Sequence, residues 1–165
     1  MKTLLLLRHA KSSWKDTGLQ DFDRPLNSRG KKAAEMIGRF IRKQRLAPDL
    51  LLCSPAIRAR ETIEAVIKTA KLSSELRYDQ RIYEASPVQL LEVVSQIEEE
   101  RSMVLLVGHN PGMEELLRLL TERVEHMATG TLAKIDFKAA KWDKVLEDKG
   151  SLDWIVRPKE LAEES

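Results

Sequence analysis

The sequence predicts an α/β fold, a three-layer α/β/α sandwich around a mostly parallel sheet, and three observations carry that expectation. Short apolar runs bounded by polar or turn residues stand at 3–7, 50–53 and 103–107, as in strands buried on both faces of a parallel sheet. Long amphipathic segments separate them. The order strand, turn, helix then recurs along the chain, which is the pattern of helices laid on both faces of one sheet.

The first helix is expected over 28–45, with Ala33, Ile37, Phe40 and Ile41 at helical spacing, Ser28 as N-cap and Pro48 beyond its end. A second should cover 56–70, following Ser54-Pro55, with Ile57, Ile63, Val66, Ile67 and Ala70 as its inward stripe. A third spans 87–99. A fourth begins after Asn110-Pro111-Gly112 and carries Leu116, Leu117, Leu119 and Leu120. Residues 131–137 and 152–156 read as late strands that could widen the sheet, joined by a charged connection containing Trp142. A single domain over 1–158 and a flexible C-terminal tail over 159–165 follow from this division.

Composition narrows the class. A chain of 165 residues fits one domain, and its 42% hydrophobic and 33% charged content is ordinary for a globular protein. The 28 Lys and Arg nearly balance the 26 Asp and Glu, so charge alone gives no reason to expect a nucleic-acid partner. One cysteine, Cys53, offers no intramolecular disulfide and fits a cytoplasmic location. No segment reaches the roughly 20 apolar residues of a membrane span, so no membrane partner is expected.

Two histidines follow strands directly. Arg8-His9 closes the first apolar run, and His109 follows the run at 103–107. Open α/β sheets build their crevices at such carboxyl ends. Arg58 lies in the first turn of the helix after Ser54-Pro55, where backbone N–H groups and a guanidinium favour a dianionic phosphate. Taken singly, each has a plainer reading as a turn, packing or solvated residue. Cys53 reads as a small hydrophobe at a strand end, and Trp14, Trp142 and Trp154 as packing residues. With three histidines and no clustered carboxylates, neither a metal nor another cofactor is expected.

Together the residues resemble a known family. Leu-Leu-Leu-Arg-His-Ala at 5–10, Ser-Pro-Ala-Ile-Arg-Ala-Arg-Glu-Thr at 54–62 and Val-Gly-His-Asn-Pro at 107–111 look like the histidine phosphatase superfamily. Asp-Phe-Asp-Arg-Pro-Leu-Asn-Ser-Arg-Gly at 21–30 and Tyr-Glu-Ala-Ser-Pro at 83–87 resemble its small phosphohistidine phosphatase branch, SixA. Ala10 replaces the glycine usual after the Arg-His pair and leaves both functional side chains in place.

The resemblance implies a phosphoglycerate-mutase-like fold and a two-step reaction without metal, in which neutral His9 takes the phosphoryl group and water then cleaves the phosphohistidine. Arg8, Arg58 and His109 match the positions that grip phosphate oxygens. Glu84, after a third strand, and Asp21 are competing candidates for the proton donor, and Arg24 either contacts substrate or tethers its loop. The segment 126–131 could bring Thr129 near the phosphate. Which nitrogen of His9 attacks is left open. The implied substrate is phosphohistidine in a signalling protein, with a small phosphorylated molecule as the alternative; a phosphate-dependent binding module without turnover is the non-enzymatic alternative.

Overall fold

Leu4 to Leu7 point alternately to the two faces of a sheet, and all four are fully buried because both faces are covered. The computed structural model describes residues 1–164. Strands β1 (Lys2–Arg8), β2 (Leu50–Cys53), β3 (Glu75–Tyr78), β4 (Met103–Gly108), β5 (Leu132–Phe137) and β6 (Ser151–Val156) form one sheet in the order β3-β2-β4-β1-β5-β6. The first four of that order are parallel, β5 lies antiparallel to β1, and β6 lies antiparallel to β5.

Helices α1 (Ser28–Lys43) and α2 (Ile57–Ala70) cover one face. There Ile37, Ile41, Ile63 and Val66 pack on Leu5, Leu7, Leu51, Leu105 and Val107. Helices α3 (Pro87–Ser95) and α4 (Gly112–Thr121) cover the other, where Leu90, Val94, Leu116, Leu117 and Trp142 meet Leu4, Leu6, Leu50, Val104 and Leu106. This is the expected three-layer α/β/α architecture. The last helix, α5 (Pro158–Glu164), takes up the stretch read from the sequence as a tail, and its Leu161 packs against the α1/α2 side of the core. Ser165 lies outside the described residues. No helix among the described residues is long and apolar enough to cross a membrane.

Two sequence expectations need correction. The N-cap of α1 is Asn27, not Ser28: its side chain accepts the Gly30 N–H at 2.8 Å, and Ser28 is the first helical residue. Helix α3 ends at Ser95 instead of residue 99. The following Glu98, Glu99 and Glu100 would have put three carboxylates at the negative end of the helix. Strand β3 was not marked out as an apolar run because it is an edge strand, with none of its residues fully buried.

What positions the site is register. Arg8 pairs with Gly108 across β1 and β4, and Cys53 pairs with Val107 across β2 and β4, so His9, Ser54 and His109 leave neighbouring strands side by side. The chain leaving β1 then passes under α1 so closely that a Cβ on Gly30 would lie 2.0 Å from the Lys11 carbonyl oxygen. The Asn27 N–H donates to the same carbonyl at 3.0 Å, which fixes the loop after His9 to the start of α1.

Candidate active site

His9 is 6% exposed, and its ring is oriented from both sides. Nδ1 lies 2.7 Å from the Ala10 carbonyl oxygen, which can only accept, so the proton sits on Nδ1. Nε2 therefore carries the lone pair, and the Arg58 Nε–H donates toward it at 3.4 Å. Burial, opposed by the hydrogen bond to Ala10 and joined by the charges of Arg58, Arg8 and Arg24, lowers the His9 pKa to about 4. The imidazole is neutral at physiological pH, with its basic nitrogen toward the arginines.

Arg58 is held from below by Asp21. Its Nη1 donates to the Asp21 carbonyl oxygen at 2.7 Å and its Nη2 to Asp21 Oδ2 at 3.0 Å. The same carboxylate accepts Tyr83 O–H at 2.7 Å and Arg24 Nε–H at 3.2 Å. Burial works to raise the Asp21 pKa, but the Tyr83 and Arg58 hydrogen bonds and the two guanidinium charges outweigh it and bring it to about 2. Arg24 also donates from Nη1 to Ser12 Oγ at 2.8 Å. Asp21 thus joins two arginines of the cleft and a tyrosine 62 residues away in sequence.

On the β4 side, the rings of His9 and His109 are 5.0 Å apart, and Tyr83 stands edge-on to His109 at 5.5 Å. His109 Nε2 lies 2.7 Å from Ser54 Oγ, which itself accepts the Ala56 N–H at 3.3 Å. Burial, then the neighbouring His9 and Arg58 charges, lowers the His109 pKa to about 3. Arg8 donates from Nη1 to the Met127 carbonyl at 3.0 Å, and its pKa is lowered chiefly by burial. Arg8 Nε and His109 Nδ1 are buried without a hydrogen-bond partner among the described residues, a costly state for polar atoms unless a ligand completes them.

These histidines make stability depend on pH. Unfolded, they bind protons below about pH 6.5; folded, they do so only near pH 4 and 3, so between those limits the unfolded state holds more protons. Their contribution is therefore intact above pH 6.5 and shrinks on acidification, by as much as about 1.4 kcal/mol per pH unit for one histidine inside its window. Urea unfolding from about pH 7 to 4.5 is expected to show this decline, and His9→Asn should flatten it; equal slopes for the two proteins would contradict the assignment.

The structure brings Arg8, His9, Arg24, Arg58 and His109 into one open cleft of about 340 Å³, with Lys11, Ser12, Trp14, Asn110 and Thr129. Glu84 does not line that cleft. It is exposed, in a left-handed backbone conformation (φ 53°), on an adjoining groove shared with His109 and Asn110. Cys53 is buried and burial raises its thiol pKa further, which suits packing. Trp142 packs as expected, fully buried. Trp14 does not: it is 73% exposed at the cleft, stacked on Arg24 with the guanidinium carbon 3.4 Å from the ring centroid. Sequence reasoning missed Ser54 as the partner of His109 and Tyr83 as a partner of Asp21. The Ser-Pro before α2 was the available signal for the first, while the second has no local signature.

The fold and this constellation define a phosphatase of the histidine type, and the comparisons agree. The chain belongs to the histidine phosphatase superfamily, whose branch 1 model matches residues 4–89. Its place is in the SixA-like branch. The candidate phosphohistidine phosphatase SixA of Nakamurella multipartitia superposes with a TM-score of 0.86 at 27% identity, over 95% of this chain and 96% of that one. That of Agrobacterium tumefaciens gives a TM-score of 0.83 at 30% identity, over 95% and 98%. An uncharacterized protein of Mycobacterium tuberculosis is 36% identical over 69% of each chain.

Proposed function

We propose that this hydrolase removes phosphate from phosphohistidine in a cytoplasmic signalling protein, through a phosphoryl group carried on His9 Nε2. The observation that carries the reading is the ring of His9, neutral, with its proton engaged by Ala10 and its lone pair turned into a cleft of three arginines. Arg8, Arg58 and His109 hold the phosphoryl oxygens. If Ser54 O–H donates to His109 Nε2, the His109 proton lies on Nδ1, where it is free for a phosphate oxygen. Arginine charges offset what develops on the transferring group.

In this reading Asp21 positions Arg58 and Arg24 and is not the proton donor. A carboxyl held near pKa 2 by three donors is the wrong end of the scale for an acid at neutral pH. Glu84 is the proposed donor, reaching the leaving group from the groove beside His109. A phosphoramidate leaves with less help from an acid than an ester does, and the cleft's opening also fits a small phosphorylated molecule.

The test is phosphate release from a phosphohistidine-bearing protein and from aryl phosphates of graded leaving-group ability, with wild type, His9→Ala and Glu84→Gln. Release should require His9 and favour the protein, and Glu84→Gln should slow the poorest leaving group most. Turnover of only small esters would move the substrate to the alternative, and release by His9→Ala would remove the mechanism.

A further inference from the structure

Trp14 is the one residue of the cleft whose large apolar side chain is turned mostly to water. The other tryptophans pack: Trp142 is buried with its N–H donated to the Arg101 carbonyl, and Trp154 meets Phe40 edge-on at 5.2 Å. Trp14 nevertheless has a fixed seat. One face of its indole rests on Arg24, and Arg24 is itself buried and anchored by Ser12 and Asp21. With one face covered and 73% of the residue still exposed, the opposite face is open beside the same cleft that holds His9.

We propose that Trp14 determines specificity by stacking the planar ring that carries the phosphoryl group, so that the substrates of this cleft present phosphate on an imidazole or aryl ring. This rests on the reading of the cleft as a phosphate site. The arginines recognise what all phosphates share, whereas an aromatic wall distinguishes a flat leaving group from an alkyl one, since offset stacking rewards flatness as well as apolar area. A phosphoserine or sugar phosphate would receive the arginine contacts without the stack.

Phenylphosphonate and methylphosphonate, neither of which can be hydrolysed, separate the two contributions when used as competitive inhibitors beside inorganic phosphate. In the wild type, phenylphosphonate should inhibit about tenfold more tightly than methylphosphonate. Trp14→Leu, which keeps an apolar cover on Arg24, should bring that ratio close to one while leaving inhibition by methylphosphonate and phosphate unchanged. Trp14→Phe should restore most of the ratio. Equal inhibition by the two phosphonates in the wild type, a ratio that survives in Trp14→Leu, or equal weakening of all three inhibitors in that variant would each overturn the proposal. Inhibition by phosphate alone sets the baseline: if phosphate and methylphosphonate inhibit normally, such a result counts against Trp14 only, and if none of the three inhibits, the phosphate-site reading falls with it.

Discussion

Replacing His9 with alanine is expected to abolish covalent labelling and lower turnover on the order of 10⁴-fold or more, the scale seen when a nucleophile is removed from a preorganised site. Wild type mixed with a labelled aryl phosphate and quenched in alkali should retain label that is stable to base and lost in acid, as a phosphorylated imidazole is. His9→Ala should retain none. The loss follows from the geometry: only Nε2 of His9 combines a lone pair, neutrality and a place among the arginines. His109 cannot replace it without rearrangement, because its Nε2 faces Ser54. His109→Ala should therefore slow the reaction but still take up label. Label in His9→Ala, or turnover within tenfold of wild type with the fold intact by circular dichroism, would contradict the assignment.

Much of this site was legible in the sequence because strands project consecutive residues to a fixed place. Arg8-His9 and Gly108-His109 each terminate an apolar run, and a parallel sheet puts such ends on one edge. Their adjacency, however, depends on β4 lying next to β1, a crossover that nothing local specifies. The same limit explains the rest. Asp21 sits in a short 3-10 turn, Asp21–Asp23, whose sequence names no partner, while its role is set by the adjoining Arg24 and by Arg58 and Tyr83 from two distant segments. Trp14 looked like core because tryptophan usually is. The stacking on Arg24 that keeps it at the cleft depends on Ser12 and Asp21 fixing the guanidinium. Edge strand β3 lacked an apolar run because an edge needs less burial.

Arg58 gives the second large effect, and lysine is the informative replacement. Arg58→Ala removes a planar donor next to the proposed nucleophile, for which a loss of about 10²- to 10³-fold in kcat is expected, comparable to deleting one preorganised donor of transition-state charge. It also strips Asp21 of two of its guanidinium contacts, the Nη1 bond to its carbonyl and the Nη2 bond to its carboxylate. Lysine restores the charge but not the fork: one ammonium cannot donate to Asp21 twice, face His9 Nε2 and still address phosphate oxygens. Arg58→Lys should therefore recover about tenfold at most over Arg58→Ala. If charge were all that Arg58 supplied, lysine would return nearly full kcat, and the picture of a guanidinium held by Asp21 for directional donation would fail. Because Asp21 fixes Arg58 without touching the phosphoryl group in this arrangement, Asp21→Asn should lower kcat in the wild type yet add little to the loss in Arg58→Ala. That non-additivity is the signature of one residue acting through the other, measured as a double-mutant cycle on kcat.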